Sequence, residues 1–184
     1  MNTTTKQKLT FEEYLNYDDG TDNRYELEDG ELIIVNPATF RHAFIIRFLT
    51  NIFEGQINQL SQPWITLSGI GVRTSVNRSR IPDICVIDRE KISDLDVSAV
   101  MESAIIAVEI VSPESKTRDY RYKRSEYSVV GIPEYWIVDS TEQKVTVLSL
   151  VEGLYEQVEY KENDRIISPT FPELALTVEQ VLQA

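Results

Sequence analysis

The sequence predicts an α/β (α+β) fold, a mixed β-sheet flanked by helices with a β-hairpin towards each end of the chain. Three observations carry this. Apolar residues recur at helical spacing from Thr39 to Leu60, through Phe44, Ile45, Phe48, Leu49, Ile52, Phe53 and Ile57. The run Ala104 to Val111 is almost continuously apolar and of strand length, as in a central strand covered on both faces. Around these two, short β-prone runs outnumber helical ones and are separated by Gly- and Pro-bearing turns.

Each element has its own signal. Thr10, with Glu13 three residues on, has capping-box spacing and starts a short helix within Leu9 to Asp18. Arg24 to Leu27 and Glu31 to Val35 flank the turn Glu28-Asp29-Gly30 as a hairpin, which Asn36-Pro37 ends. Gln62-Pro63 stops the long helix, and Trp64 to Leu67, Gly71 to Val76 and Ile81 to Asp88 follow as short strands. Lys91 to Ser103 is a polar connection with room for a helical turn. Ser112-Pro113 breaks the central strand, and a helix rich in charge and tyrosine runs from about Glu114 to Val130, closed by Gly131 with Pro133 beyond. Glu134 to Asp139 is another apolar strand. Lys144 to Leu150 and Tyr155 to Tyr160 bracket Glu152-Gly153 as the second hairpin, and Thr177 to Ala184 forms a terminal helix. With no repeat, low-complexity tract or long linker, we expect a flexible tail over 1–8 and a single domain over 9–184.

Composition excludes several classes. At 184 residues and 42% hydrophobic, the chain suits one domain with a substantial core. The lone Cys85 can make neither an intramolecular disulfide nor a Cys-based zinc site, which points to a reducing cytoplasm. No run of about 18 apolar residues is present to span a membrane, and Met1 to Thr10 lacks a signal-peptide core. The net charge of −12 argues against non-specific attraction to nucleic acid or anionic lipid. Much of that surplus is local, because Thr10 to Glu31 holds nine acids and one base, whereas Lys116 to Arg124 holds five bases and one acid.

Among the acids, Glu26 in the first hairpin, Asp83 after Pro82 at a strand start, and Glu109 in the central strand stand out. Buried acids are costly unless paired or bound to a cation. Each could cap a strand or pair structurally, but two carboxylates at the ends of neighbouring strands can also bind Mg²⁺, a hard cation that takes oxygen ligands. The basic helix that follows could then meet a phosphate backbone. On it Asp119, Lys123 and Tyr127 are spaced by four and share a face, which equally suits an ordinary solvated ion pair.

In order along the chain, Pro82-Asp83, Glu109-Ile110-Val111-Ser112-Pro113, Asp119, Lys123, Tyr127 and Gly131-Ile132-Pro133-Glu134-Tyr135-Trp136-Ile137-Val138-Asp139 form a pattern. It resembles the Uma family of endonucleases in the PD-(D/E)XK, or restriction endonuclease-like, nuclease superfamily. Arg24-Tyr25-Glu26-Leu27 with Gly30 and Glu31, the helix beginning near His42, and Ser168-Pro169-Thr170-Phe171-Pro172 extend the likeness from about Leu9 to Leu182. The Glu-Ile-Val-Ser-Pro and Glu-Tyr-Trp-Ile-Val-Asp segments are the specific part.

The resemblance implies a restriction endonuclease-like core with its active-site acids on adjacent strands. Asp83 and Glu109 would be metal ligands, with the main-chain carbonyl of Ile110 as a third. One departure matters. The superfamily's simplest pattern has a Lys two residues after the Glu, where this chain has Val111, so that role would pass to Lys123 from the following helix, with Lys116 as the weaker substitute. The implied reaction is hydrolysis of DNA phosphodiester bonds assisted by Mg²⁺, with Mn²⁺ as substitute: metal at Asp83 and Glu109 activates water while Lys123 orients it or stabilises developing charge. Glu26 would be a further acid at the site or a partner of Lys123 or Arg121. Cutting both strands would suit a homodimer.

Other residues have plainer readings. The lone His42 could donate a hydrogen bond at the site or be structural. Tyr135, Trp136, Tyr14 and Tyr17 could stack on bases, but Trp136 sits in an apolar strand and fits the core. Cys85 fits a small buried residue better than a nucleophile. A rival reading keeps the fold as a non-catalytic binding or assembly module, favoured by Val111 and the acidic balance, and a third keeps the same residues for RNA or a smaller phosphodiester.

Overall fold

The computed structural model describes residues 8–100 and 104–184, so the expected tail, apart from Lys8, and the end of the polar connection at 101–103 lie outside them. In chain order the elements are α1 (Phe11–Leu15), β1 (Tyr25–Glu28), β2 (Glu31–Ile34), α2 (Phe40–Leu60), β3 (Trp64–Leu67), β4 (Gly71–Ser75), β5 (Arg78–Arg80) and β6 (Ile84–Asp88). They continue with β7 (Ala99–Val100), β8 (Ile106–Ile110), a π-helical turn (Arg118–Lys123) running into α3 (Arg124–Val129), β9 (Glu134–Asp139), β10 (Lys144–Val151), β11 (Leu154–Lys161) and α4 (Val178–Leu182).

A six-stranded mixed sheet, ordered β11-β10-β9-β8-β6-β3, forms the centre. Its one parallel pair is β8 with β9, and β6 runs antiparallel to β8 with Ile84 opposite Val108. Side chains alternate faces along these strands. On one face Ile84, Val86, Val108, Ile110, Trp136 and Val138 pack with Ile45, Leu49, Phe53 and Ile57, the buried stripe of α2. Each such side chain contributes about 1.5–3 kcal/mol when fully buried, so packing holds α2 on the sheet far more firmly than intrinsic helix propensity does. On the other face Cys85, Ala107, Tyr135 and Ile137 pack with Tyr127 and Ile132 around α3. The sheet is thus covered on both sides, as the apolar run through β8 predicts.

The caps follow the sequence signals. Thr10 and Glu13 form the reciprocal capping box of α1, and the Thr39 hydroxyl oxygen accepts the His42 N–H to open α2. Gly131, at φ 79°, takes the left-handed conformation that ends α3 and turns the chain into β9.

The structure adds detail to these expectations. There are two sheets rather than one, because the first hairpin joins a separate five-stranded sheet ordered β2-β1-β5-β4-β7. What joins it is β5, a strand with no apolar alternation: Arg78-Ser79-Arg80 pairs with β4 across a short turn and with β1 at Leu27, and its arginines are satisfied by acids instead of by apolar packing. The expected strand over Ile81 to Asp88 accordingly starts at Ile84. The polar connection contains a 3₁₀ turn, Arg89–Lys91, and the two-residue β7 beside β4. Finally, the helix after Ser112-Pro113 is π-wound over Arg118–Lys123 before it becomes α3. Single π turns inside helices are uncommon and frequent at functional sites.

Candidate active site

The ends of β6 and β8 open into a cavity of about 420 Å³, walled by the end of β2, the first turn of α2 and the π turn. Asp83 precedes β6, and the register of Ile84 with Val108 brings it beside Glu109 on the neighbouring strand. Its Oδ2 accepts the Ile110 N–H at 2.7 Å, an anchor that fixes the carboxylate against the central strand. Its Oδ1 lies 2.8 Å from His42 Nε2 on α2. That approach is off the direction in which a ring N–H donates, so it is a close polar contact, not an aligned hydrogen bond.

Glu109 is almost wholly buried because β8 is covered on both faces. Its two oxygens are held separately: Oε1 accepts the Tyr127 hydroxyl at 2.7 Å, and Oε2 lies 2.7 Å from Lys123 Nζ. Burial pushes the Glu109 carboxyl well up, Lys123 pulls it back, and Asp119, Asp83 and Glu26 push it up further. Lys123 sits among three acids, with Glu26 Oε1 at 3.3 Å and Asp119 Oδ1 at 3.4 Å besides Glu109. Burial alone would strip its charge, but these carboxylates outweigh burial and hold the ammonium well above its ordinary range.

Asp119 and Lys123, four residues apart on the π turn, both face inward. Asp119 is buried, accepts the Ser115 hydroxyl through Oδ2 at 2.5 Å, and has a carboxyl raised by burial despite the pull of Lys123. Tyr135 donates its hydroxyl to the Asp119 carbonyl at 3.0 Å, which ties the turn to β9. Of the two readings of the Asp119–Lys123 pair, the solvated one does not hold, since both side chains are buried.

Glu26 reaches the site from the second sheet. It accepts the Ile81 N–H at 3.0 Å and lies 3.2 Å from Arg80 Nη1. Burial works to raise its carboxyl, but Lys123, Arg80 and the Ile81 N–H together bring it below the ordinary value. Arg80 is fully buried, with a two-pronged contact to Glu126 at 2.7 and 2.8 Å and a further bond to Glu28 at 3.0 Å. Arg80 and Glu126 were not singled out from sequence. The available signal was the alternation Arg78-Ser79-Arg80 immediately before Ile81-Pro82-Asp83, which puts two arginines on one side of a strand next to a candidate acid.

The remaining candidates fall outside this cluster. Lys116 pairs with Glu142 and approaches Asp139 Oδ2 at 3.6 Å. Val111 lies in the apolar cluster with Tyr127 and Ile137. Trp136 is core, edge-on to Phe53 at 5.4 Å and donating its indole N–H to Glu134. Tyr135 is buried, Tyr14 donates to the Tyr25 carbonyl, and Tyr17 rests edge-on against Tyr25. Cys85 is buried, and that burial pushes its thiol up to about 12.

Among the described residues no group of three or more His, Cys, Asp and Glu side chains is arranged to hold a metal ion. The donor set still suits a hard divalent cation, which takes one or two carboxylates and fills its other positions with water and substrate oxygens. Each oxygen of Asp83 and Glu109 meets one donor or contact and retains a second lone pair. The charge also points that way, since Glu26, Glu109 and Asp119 converge on the ammonium of Lys123, Asp83 adds a fourth carboxylate close enough to raise Glu109, and burial raises Glu109 and Asp119 towards protonation. A cation added at Asp83 and Glu109 would relieve that excess, and Ile110 lines the same cavity.

Comparison with known proteins agrees with this architecture. No curated protein matches the chain. A crystal structure from Anabaena variabilis, described as "a putative nuclease belonging to DUF820", has the same fold, with a TM-score of 0.79, 19% identity, and coverage of 95% of this chain and 98% of that one. The pattern of the Uma2 family, described as "Putative restriction endonuclease", matches residues 11–179. The chain therefore belongs to the Uma2 family of restriction endonuclease-like proteins.

Proposed function

We propose that this protein is a Mg²⁺-dependent endonuclease that hydrolyses DNA phosphodiester bonds at the cavity where β6 and β8 end. The observation that carries the reading is the convergence of Asp83 and Glu109 with one buried lysine, Lys123, in an open cavity. Asp83, Glu109 and the Ile110 carbonyl would hold the metal, which when bound polarises the phosphodiester and lowers the pKa of an attacking water. The Ile110 N–H keeps the Asp83 carboxylate in place, and the Tyr127 hydroxyl does the same for Glu109. Lys123, kept charged by the acids around it, donates hydrogen bonds and positive charge to the attacking water or the developing oxyanion and does not act as a base. Glu26 fixes the position of Lys123 from the second sheet. Cutting both strands of a duplex calls for two such sites, hence a homodimer.

The test is calorimetric titration of Mg²⁺ or Mn²⁺ into the wild type and Asp83→Ala, followed by plasmid nicking with both. Saturable binding and nicking by the wild type alone are expected. Nicking retained by Asp83→Ala would remove Asp83 from the site. Absence of both binding and nicking in the wild type would leave a non-catalytic module on the same fold.

A further inference from the structure

Two arginines line the cavity without any role in the cluster just described. Arg41 comes from α2 and Arg118 from the start of the π turn, elements on opposite faces of the central sheet that meet at its strand ends. Neither makes a hydrogen bond or ion pair among the described residues. The Arg118 Nε is out of contact with solvent and has no acceptor. A buried N–H left unpaired costs about 1–3 kcal/mol, a cost that a small turn of the guanidinium towards a ligand oxygen in the cavity would relieve.

The surface beside Arg41 is equally unusual. Phe40 and Phe44 are 84% and 53% exposed, with ring centroids 6.3 Å apart, and the cavity-lining Ile34 is 54% exposed. Arg47 continues the same face of α2 one turn further on and is also exposed. In a chain of net charge −12, no Asp or Glu occurs between Glu31 and Glu54. Exposed rings and unpaired guanidiniums, on a stretch of α2 that carries no carboxylate of its own, suit a polyanion with flat apolar groups. A second copy of the chain fits less well, because a twofold contact through this stretch of α2 would bring its arginines together with no acid from the same stretch between them. From Phe40 to Arg47 the helix rises about 10 Å, more than one nucleotide, so the contact extends beyond a small phosphodiester.

We propose that Arg41 and Arg118 grip the phosphates of the strand being cut, and that Phe40 and Phe44 stack on its bases, so that the substrate enters with unpaired bases. This rests on the nuclease reading of the same cavity and names its substrate class, a single-stranded or locally unwound nucleic acid. Phosphate contacts position the strand, and stacking on every base's π face makes the contact tolerant of sequence.

The experiment is fluorescence anisotropy with a labelled oligonucleotide, single-stranded and as duplex, in EDTA so that nothing is cut. It uses the wild type, Arg41→Gln/Arg118→Gln and Phe40→Ala/Phe44→Ala, each with its melting curve and Mn²⁺ calorimetry. The wild type should bind single strands more tightly than duplex. The arginine variant should bind at least about tenfold more weakly, with a salt slope shallower by about 1.4 for two lost phosphates. The phenylalanine variant should lose about fivefold or more with its salt slope unchanged. Both variants should keep wild-type Mn²⁺ binding. Wild-type affinity in both variants, or preference for duplex, overturns the proposal while leaving metal binding and nicking to judge the nuclease reading. A dimer that the phenylalanine variant abolishes, with its oligonucleotide affinity unchanged, would assign the face to a second copy and overturn the proposal too.

Discussion

Lys123 Nζ lies 2.7 Å from Glu109 Oε2, and both groups are nine-tenths or more buried. The pair joins the π turn to the central strand, and it places a positive charge where Glu26, Glu109 and Asp119 would otherwise repel one another. Removing one member of a buried pair is far costlier than removing both, since the survivor keeps its desolvation cost without its partner. Lys123→Met should therefore destabilise the metal-free protein by about 3–5 kcal/mol. Added Mn²⁺ should restore part of that loss, as a cation replaces the missing charge. Urea unfolding with and without Mn²⁺ checks both statements, and a loss below 1 kcal/mol would show that the acids simply protonate.

Arg80 ties the five-stranded sheet to α3. It is fully buried and contacts Glu26, Glu28 and Glu126, so Arg80→Met takes the guanidinium from two buried carboxylates, leaving Glu26 to Lys123 and the Ile81 N–H, and Glu126 to Thr74 and the more distant Arg78. The expected loss is about 3–5 kcal/mol by urea unfolding. The double variant Arg80→Met/Glu126→Leu should recover part of it, because it removes a stranded charge together with its partner.

Tyr127→Phe removes one hydroxyl and no packing volume to speak of. Its hydrogen bond to the Glu109 carboxylate is worth about 1.5–3 kcal/mol in stability. Because that bond also orients Glu109, divalent-metal affinity should fall about 10–100-fold. Calorimetry that finds metal affinity unchanged would separate Glu109 from the metal.

Cys85 is the only cysteine in the chain and is buried in β6, with its thiol pushed up to about 12 by desolvation. A thiol reagent should leave the native protein unlabelled near pH 8 and label it stoichiometrically in urea. Since the folded value lies above the unfolded one, the folded state holds its proton longer, and stability should fall as pH rises from about 9 to about 12. Cys85→Ala should show a shallower alkaline decline over that window. Labelling of the native protein at the unfolded rate would contradict the buried placement.

The elements built on local periodicity were legible from sequence. The stripe from Phe44 to Ile57 made α2, the Thr10–Glu13 pair made the α1 cap, and the apolar runs at 104–111 and 134–139 made the two central strands. The acids Asp83 and Glu109, with Lys123, could be picked out because charge in or beside an apolar strand is costly and Val111 left the lysine's usual place empty of charge. Tertiary structure alone decided the rest. Arg78-Ser79-Arg80 has no apolar alternation, and it becomes a strand only because distant acids, Glu26, Asp29 and Glu126, satisfy its guanidiniums. The split into two sheets follows from that strand. Spacing put Asp119 and Lys123 on one helix face, but that this face is buried against Glu26 and Glu109, on a π winding tied to Tyr135 of β9, was decided by the fold. Periodic burial is written into neighbouring residues, whereas the pairing of buried charges depends on partners far along the chain, which only the folded molecule brings within reach.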